Sequence, residues 1–446
     1  MFDRKLFLRL LWPVLIEQAL ATTIGMVNTM MVGNVGMTAI SAVSIVASLN
    51  LLIMNIFTSF ATGATVVVAQ SIGAGDRNKA NKAAGQSMVV CVLSAMVCCL
   101  FFLAFGGATV AFLFGEAEEL VKQYAKVYLN YSALSYPFLA AFSMASGILR
   151  GSGNTRSSMR ISILSNAINV GVGALCIYVL GWGVSGVGVA LLVSRIASAS
   201  LIVWILYHND DVSIRRMSLK LERTTIVPVL GIGVPACIDG LIFNWGKLII
   251  QTFVTALGTA ALAANSIAAS ITDLINIPGN SLSLVAVTIV GQAVGSSIHG
   301  KELRKIFRSL IGYATGLLAV TTLIMVPLLP LLIHLYSPPG DVESMIFSVL
   351  QFVLVALPIL WPAAFILPAC IRSTGDSACV TVVSILSMWF VRVLGAWFTV
   401  RYTGWGIMGI WLFWCMDWLV RGIAFIIRAK TSPYISGRRW QERGKL

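Results

Sequence analysis

A chain of 446 residues in which 58% are hydrophobic and only 11% are charged cannot cover a soluble globule with an ordinary polar surface. Repeated apolar runs of about 20 residues indicate instead a polytopic α-helical membrane protein whose helices contact the lipid bilayer. The net charge of +14 could suggest nucleic acid, but the positive residues lie in short segments between the apolar runs, which is typical of membrane topology.

The apolar runs predict twelve transmembrane helices and one long polar linker. In chain order the helices cover about residues 7–32, 41–72, 83–114, 121–149, 159–180, 184–207, 226–257, 261–294, 303–335, 345–371, 379–400 and 406–427. The polar segment 208–223 separates the sixth helix from the seventh. We therefore predict an all-α membrane protein with an N-lobe over residues 1–217, a C-lobe over residues 218–446, and a basic cytoplasmic tail from about residue 431.

Lysine and arginine are distributed unevenly over the loops of this topology. Of the 31 such residues, 25 fall on one side, whereas the other side keeps only Lys122, Lys126 and Arg401. The positive-inside rule makes the rich side cytoplasmic. Both termini are then cytoplasmic, as an even number of spans requires, and the predicted location is the cell (plasma) membrane. We expect a monomer.

The two halves of the chain repeat one pattern. Pro13 stands four residues before Glu17, and Pro235 stands four residues before Asp239, an offset of 222. Two further anchors keep the same offset: Gln70 with Gln292, and Arg150 with Arg372. Three anchors at one offset indicate an internal duplication. Because each half has an even number of spans, the repeats are parallel and related by a pseudo-two-fold axis along the membrane normal.

Two acids that occupy equivalent repeat positions, Glu17 and Asp239, are candidates for ion coupling. A carboxylate at membrane depth is costly and usually faces a cavity or the bundle interior, and neither acid has an evident cation on its own helix. Gln18 and Asn28 add oxygen atoms on or near the face of Glu17. These groups suit a proton relay or a Na⁺ site. The alternative is a pair of neutral carboxylic acids that only tighten the packing.

Four other charged residues within the predicted helices form two expected structural ion pairs, Lys247 with Asp273 and Arg392 with Asp417. Each pair flanks a helix–helix turn at roughly matching depth, within reach of a long Lys or Arg side chain. A transport role is the alternative for these four residues. Arg195 has no evident acidic neighbour and stays without a role.

Polar and aromatic residues elsewhere are candidates for a substrate cavity. Asn169 follows Asn166 on one face of the fifth helix, and the other candidates are Phe60, Met144, Phe243 and Trp361. Helix packing is an equally good account of the asparagines, and core or lipid-facing packing a better one for each of the others.

Other chemistries find no support in the sequence. The eight cysteines all lie in apolar runs and resemble small buried hydrophobes rather than a disulfide framework or a metal site. No phosphate-binding P-loop sequence occurs, which disfavours ATP-driven transport by this chain. No nucleophile–base constellation occurs either. We expect neither an enzyme nor a cofactor beyond a coupling Na⁺ or H⁺.

The motifs together resemble the multidrug and toxic compound extrusion (MATE) family. The resemblance rests on WPVLIEQ and NTMMVG in the first helix, on AQSIGAGDRNKA after the second, and above all on the paired loops LRGSGNTR and IRSTGDS. It implies two six-helix lobes, a central cavity reached by alternating access, and cation/drug antiport with small amphiphilic or cationic substrates. A lipid-linked oligosaccharide flippase of the same superfamily is the alternative function.

The chain departs from the family at the usual coupling carboxylates. Members often carry Asp where this chain has Asn28, and one branch carries a second Asp where this chain has Gly173. Another branch carries Glu in the seventh helix, where Phe243 and Asn244 are the nearest positions here. Glu17 and Asp239 are therefore the symmetry-related acids left to carry the coupling.

Overall fold

The structure is a computed structural model that describes residues 4–33, 35–113, 115, 118–215, 221–336, 338–433 and 435, and the secondary structure of these residues is helical throughout. The helices of the first half are α1 (Arg4–Gly33), α2 (Met37–Gly73), α3 (Arg77–Leu113), α4 (Glu119–Gly151), α5 (Thr155–Ala174) and α6 (Gly183–Tyr207). Those of the second half are α7 (Arg223–Ala256), α8 (Thr259–Ile275), α9 (Ile277–Gly295), α10 (Gly300–Leu335), α11 (Gly340–Ser373), α12 (Ser377–Ser387), α13 (Leu394–Tyr402) and α14 (Gly406–Thr431).

Among the described residues, twelve helical segments are long and apolar enough to cross a membrane, which confirms the predicted fold class. The predicted eighth helix is divided at Asn276 into α8 and α9. Pro278 in the first turn of α9 explains the division, since proline has no N–H for the preceding turn and its ring clashes with a carbonyl there. A π-helical turn over Met388–Val393 joins α12 to α13, and another over Leu175–Val179 ends α5.

The chain forms two compact units, one of Leu8–Cys237 and one of Met1–Phe7 with Ile238–Leu446. The division falls inside α7, later than the predicted lobe boundary at residues 217 and 218, which lie outside the described residues. The first part of α7 packs with the first unit because Gly63 of α2 lets the two backbones approach closely. A Cβ atom at Gly63 would lie 2.9 Å from the Gly233 nitrogen and closer still to the Val229 carbonyl oxygen.

The described part of the linker between the repeats is fastened to α3. Lys82 forms an ion pair with Glu222 at 2.9 Å, and the Ser213 N–H donates to Asn81 Oδ1 at 2.8 Å. Val212 is fully buried. The linker therefore belongs to the first unit, together with the start of α7. Most of the predicted basic tail, residue 434 and residues 436–446, lies outside the described residues.

One long helix lies at the centre of each unit. In the first unit α4 packs against α2, α3 and α6, and in the second unit α11 packs against α14, α10 and α9. These two helices are equivalent in the repeat, and Arg150 and Arg372 stand at their C-terminal ends. The central helices thus deliver the two arginines to corresponding places in the two units.

Gly63 provides a test of the α2–α7 packing. Gly63→Ala should lower stability by about 1–3 kcal/mol, because the new methyl group meets rigid backbone rather than a movable side chain. The measurement is thermal unfolding of the purified protein in detergent. Gly171→Ala is the matched control, since a Cβ atom there meets nothing within 4 Å, and it should leave the melting temperature unchanged or slightly raised. Equal melting temperatures for the two variants would contradict the close approach.

Candidate functional site

Glu17 of α1 is held by an arginine and two serines of its own unit. Arg150 Nη1 donates to Glu17 Oε1 at 3.0 Å and to Ser146 Oγ at 2.9 Å, and Ser158 Oγ donates to Glu17 Oε1 at 3.2 Å. The Ser146 and Ser158 hydroxyls are themselves in hydrogen-bond contact. Both charged side chains are about 15% exposed. The second carboxylate oxygen, Oε2, is buried and has no hydrogen-bond partner among the described residues.

Asp239 of α7 is held in the same way within the second unit. Its Oδ2 accepts from Nη2 of Arg372, and both side chains are less than one-fifth exposed. The acids stand 222 residues apart, and so do the arginines. The internal duplication has therefore produced one acid–arginine pair in each unit, and we refer to Glu17–Arg150 and Asp239–Arg372 as the twin pairs.

The residues of the paired loops RGSGN and RSTGD fit the turn that follows each arginine. The fourth residue of each, Gly153 or Gly375, has a positive φ, 93° and 94° respectively, which favours glycine. The last residue stands before the next helix: Asn154 Oδ1 accepts from the Ser157 N–H, and Asp376 accepts from Arg428 Nε at 2.8 Å. Each motif therefore ends one helix with an arginine, reverses the chain at a glycine, and starts the next helix.

The cationic partners of Glu17 and Asp239 are the main feature that the sequence analysis missed. Each partner lies on another helix of the unit, so the residues around Glu17 or Asp239 in the sequence do not reveal it. The constant offset of Arg150 and Arg372 was the available signal, because groups that keep their spacing through a duplication can keep their contact. These partners place both acids, which lie near the middle of α1 and α7, beside the C-terminal ends of α4 and α11.

The other predicted coupling residues do not join Glu17. Gln18 makes no side-chain hydrogen bond to it, and Asn28 lies eleven residues away, or about 16 Å along α1. Asn28 instead lines a small cavity of about 10 Å³ in the first unit, together with Asn169, Tyr128 and Gly173. Asn28 and Asn169 therefore lie together at this cavity, away from Glu17.

This cavity contains the two positions at which the MATE resemblance implied carboxylates, Asn28 and Gly173. A Cβ atom at Gly173 would lie 2.6 Å from the terminal methyl group of Met31, so Met31 fills the space that a side chain there would need. Asn169 donates to Ser194 Oγ at 3.3 Å, whereas Asn166 does not line the cavity. The lining is neutral and has room for about one water molecule.

The apolar residues predicted to line a substrate cavity do not lie in one cavity. Phe60 and Met144 line a second cavity of about 10 Å³ in the first unit, far below the roughly 300 Å³ that a drug-sized ligand needs. Trp361 is buried in the second unit, where it stacks on Phe365 and fills the space beside Gly279. A roomier cavity of about 360 Å³ in that unit is lined by residues that the sequence analysis did not select, among them Met345 and Trp405.

Neither of the two predicted structural ion pairs of the second half is a direct contact between the described residues. Asp417 pairs with Arg421, one turn along α14, at 3.3 Å, and it also accepts from Ser387 Oγ at 2.5 Å. Arg392 lies over the Trp414 ring instead, with 3.5 Å from its Cζ to the ring centre. Lys247 and Asp273 form no ion pair. Arg421 is only 4% exposed and lies one helical turn from Asp417, which gives that acid a partner on its own helix.

Arg195, which the sequence left without a role, is a cation of the first unit. Its Nη1 donates to Ser135 Oγ at 2.6 Å, and no acid among the described residues forms an ion pair with it. A serine hydroxyl, rather than a carboxylate, therefore accepts the hydrogen bond from this charged group of α6.

Comparison with known proteins assigns the chain to a family. The MatE family model matches residues 13–175 and again residues 235–398, two matches that begin 222 residues apart. Together they cover most of the chain, so the chain belongs to the MATE family of membrane transporters and is not an enzyme. The double match also agrees with the internal duplication.

Relatives and solved structures of this kind cover the whole chain. The probable multidrug resistance protein NorM of Thermotoga maritima is 25% identical and aligns with 99% of this chain and 94% of its own length. A crystal structure of a MATE protein in a bent conformation matches with a TM-score of 0.90 at 20% identity, covering 99% of this chain and 97% of that one.

A transporter of the MOP superfamily from Pyrococcus furiosus matches with a TM-score of 0.89 at 20% identity, covering 98% of this chain and 96% of that one. It is described as having a binding pocket of reverse polarity that suggests a different function. At these identities the two structural matches establish the shared fold.

The twin pairs predict a characteristic mutational pattern. Glu17→Gln or Arg150→Gln alone should cost about 3 kcal/mol of stability or more, because each leaves one buried charge unpaired, and the double variant should be less harmful than the worse single one. The same pattern is expected for Asp239→Asn and Arg372→Gln. The measurement is thermal unfolding of each purified variant.

Lys82→Gln is the control for this series, because it breaks the half-exposed Lys82–Glu222 pair. Exposed pairs contribute about 0–1 kcal/mol, so this variant should melt close to wild type. If the single and double variants of a twin pair have the same melting temperature, the interaction between the two charges does not contribute to stability.

Proposed function

We propose that this chain is a secondary active exporter that moves small amphiphilic or cationic drug-like molecules out of the cell in exchange for a cation, Na⁺ or H⁺. Membership of the MATE family and the multidrug-resistance name of a relative that spans the chain support the export of drugs. The sequence contains no P-loop to suggest that ATP drives the cycle. Export then depends on the energy of an ion gradient.

The observation that carries the coupling proposal is the presence of one buried acid–arginine pair in each unit. The guanidinium group already supplies the positive charge that a Na⁺ ion would bring to Glu17 or Asp239. A proton acts differently, since it cancels the carboxylate charge and leaves the arginine without its ionic partner. The geometry of the twin pairs therefore favours H⁺ over Na⁺ as the coupling ion.

The proposed mechanism uses the twin pairs as two-state contacts. With the acid ionised, the pair ties α1 to the end of α4 in the first unit, and α7 to the end of α11 in the second. Protonation weakens the tie, because a neutral acid no longer attracts the buried guanidinium. A proton that binds one arrangement of these helices more tightly than another shifts the population between them, which is how a gradient drives alternating access.

The coupling proposal is tested by transport in proteoliposomes. Under an imposed pH gradient, Glu17→Gln or Asp239→Asn should reduce driven export at least about tenfold, because the neutral amide cannot exchange a proton. Equilibrium binding of the same substrate should change little. Glu222→Gln, which removes the acid of an exposed ion pair, is the control and should transport like wild type. Wild-type rates for both acid variants would move the coupling site elsewhere, and export driven only by a Na⁺ gradient would overturn the choice of H⁺.

The proposed orientation and state of assembly need their own test. We propose a monomer in the cell membrane with both termini cytoplasmic, because the loops rich in Lys and Arg then face inward. A reporter enzyme that is active only outside the cytoplasm should stay inactive when fused to the C-terminus and become active when fused to the loop at residues 115–118. The opposite pattern would reverse the topology.

A further inference from the structure

The second unit contains a group of cationic and aromatic side chains that neither the fold nor the coupling proposal uses. Arg392 lies in the π-helical turn Met388–Val393 and is only 2% exposed. The equivalent residues of the first repeat, 166–171, belong to the regular α-helix α5. Single π-helical turns are often found at functional sites. The π-helical turn of the first repeat lies further along the chain, at Leu175–Val179, so the two repeats differ in backbone at the position of this arginine.

Four N–H donors in this region point to a ligand with acceptor atoms. Arg392 Nε, Arg392 Nη1, Arg421 Nε and Trp418 Nε1 are all buried and have no hydrogen-bond partner in the part of the chain that is described. The three residues are at most 4% exposed. A buried donor without an acceptor costs about 1–3 kcal/mol, and more when it is charged. The orphaned groups are all donors, so what they lack is an acceptor.

The charges of the group favour an anion over a neutral acceptor. Arg392, Arg421 and Lys247 each place their charged group within 5.5 Å of the centre of the Phe243 ring. Two acids oppose these three cations: Asp417, which pairs with Arg421, and Asp273, whose charge acts on Lys247 and Arg392. One positive charge remains in excess. Lys247 is exposed and Phe243 half-buried, so the group reaches the protein surface through them.

We infer that this cationic and aromatic group is a binding site for the oxyanion of an amphiphile, a carboxylate, sulfonate or phosphodiester head on an apolar body. A planar guanidinium pairs well with two oxygens of such a head, and Arg392 keeps its planar group aligned by stacking on Trp414. Phe243 and Phe365, which lie beside Arg421, offer apolar surface for the body. The inference rests on the proposed exporter function and narrows its substrates to amphiphiles that carry a negative charge.

Equilibrium binding tests the inference without any gradient, so a failure here is distinct from a failure of coupled transport. Purified full-length protein in phosphatidylcholine nanodiscs is titrated with pyrenebutyrate, and energy transfer from tryptophan to pyrene is recorded. The cationic probe with the same aromatic body, pyrenebutyl-trimethylammonium, is the matched ligand. Wild type should bind the anionic probe more tightly than the cationic one.

Variants then assign the binding to Arg392. Arg392→Gln should weaken binding of the anionic probe about tenfold or more, as expected for hydrogen bonds to a charged group, and should leave the cationic probe unaffected. Arg401→Gln, at an exposed arginine in the last turn of α13, is the control and should bind like wild type. Trp418→Phe removes one orphaned donor but keeps an aromatic ring, and provides a second variant if Arg392→Gln does not fold.

Two results would overturn the inference: equal or tighter binding of the cationic probe by wild type, or unchanged anionic binding by a folded Arg392→Gln. Nanodiscs that contain phosphatidylglycerol identify the source of the oxyanion. Competition by the lipid that disappears in Arg392→Gln would assign the site to a lipid headgroup. Absence of competition, with anionic probe binding retained in wild type, would assign it to a free amphiphile.

Discussion

A buried carboxylate and a buried guanidinium stabilise each other's charge when they meet, and this interaction shapes both halves of the chain. Each acid sits on the first helix of its repeat and each arginine at the end of the fourth. The two helices must therefore reach the same depth, and the turn after the arginine must be tight. Gly153 and Gly375 supply that turn with nearly the same φ. The short loop motifs RGSGN and RSTGD thus provide the turn that follows the arginine of each long-range ion pair.

Duplication kept this pair but allowed the interiors of the two units to diverge. In the first unit a small neutral cavity lies among Asn28, Asn169 and Gly173, and Arg195 is bonded to a hydroxyl. In the second unit three cations lie within 5.5 Å of the centre of the Phe243 ring. In the proposed function, the twin pairs serve ion coupling and other residues serve substrate binding.

Such a separation has a physical advantage for an antiporter. In the proposed function, a proton that binds one arrangement of the paired helices more tightly than another shifts the population between them. A cationic and aromatic surface with unused donors can instead accept ligands of varied shape, since aromatic faces and guanidinium groups tolerate many apolar bodies. In the proposed function the twin pairs respond to the proton gradient, and the cationic and aromatic group selects substrates by their charge.

The sequence by itself determined the fold class, because long apolar runs in a chain with few charges have no stable alternative to membrane helices. It also determined the duplication, since the constant offset of Glu17, Arg150 and their counterparts needs no structure to be seen. Only the tertiary structure decided which charges meet. Glu17 contacts Arg150, and Asp239 contacts Arg372, because ion pairing between helices depends on which helices are neighbours and at what depth. Spacing along one chain does not contain that information.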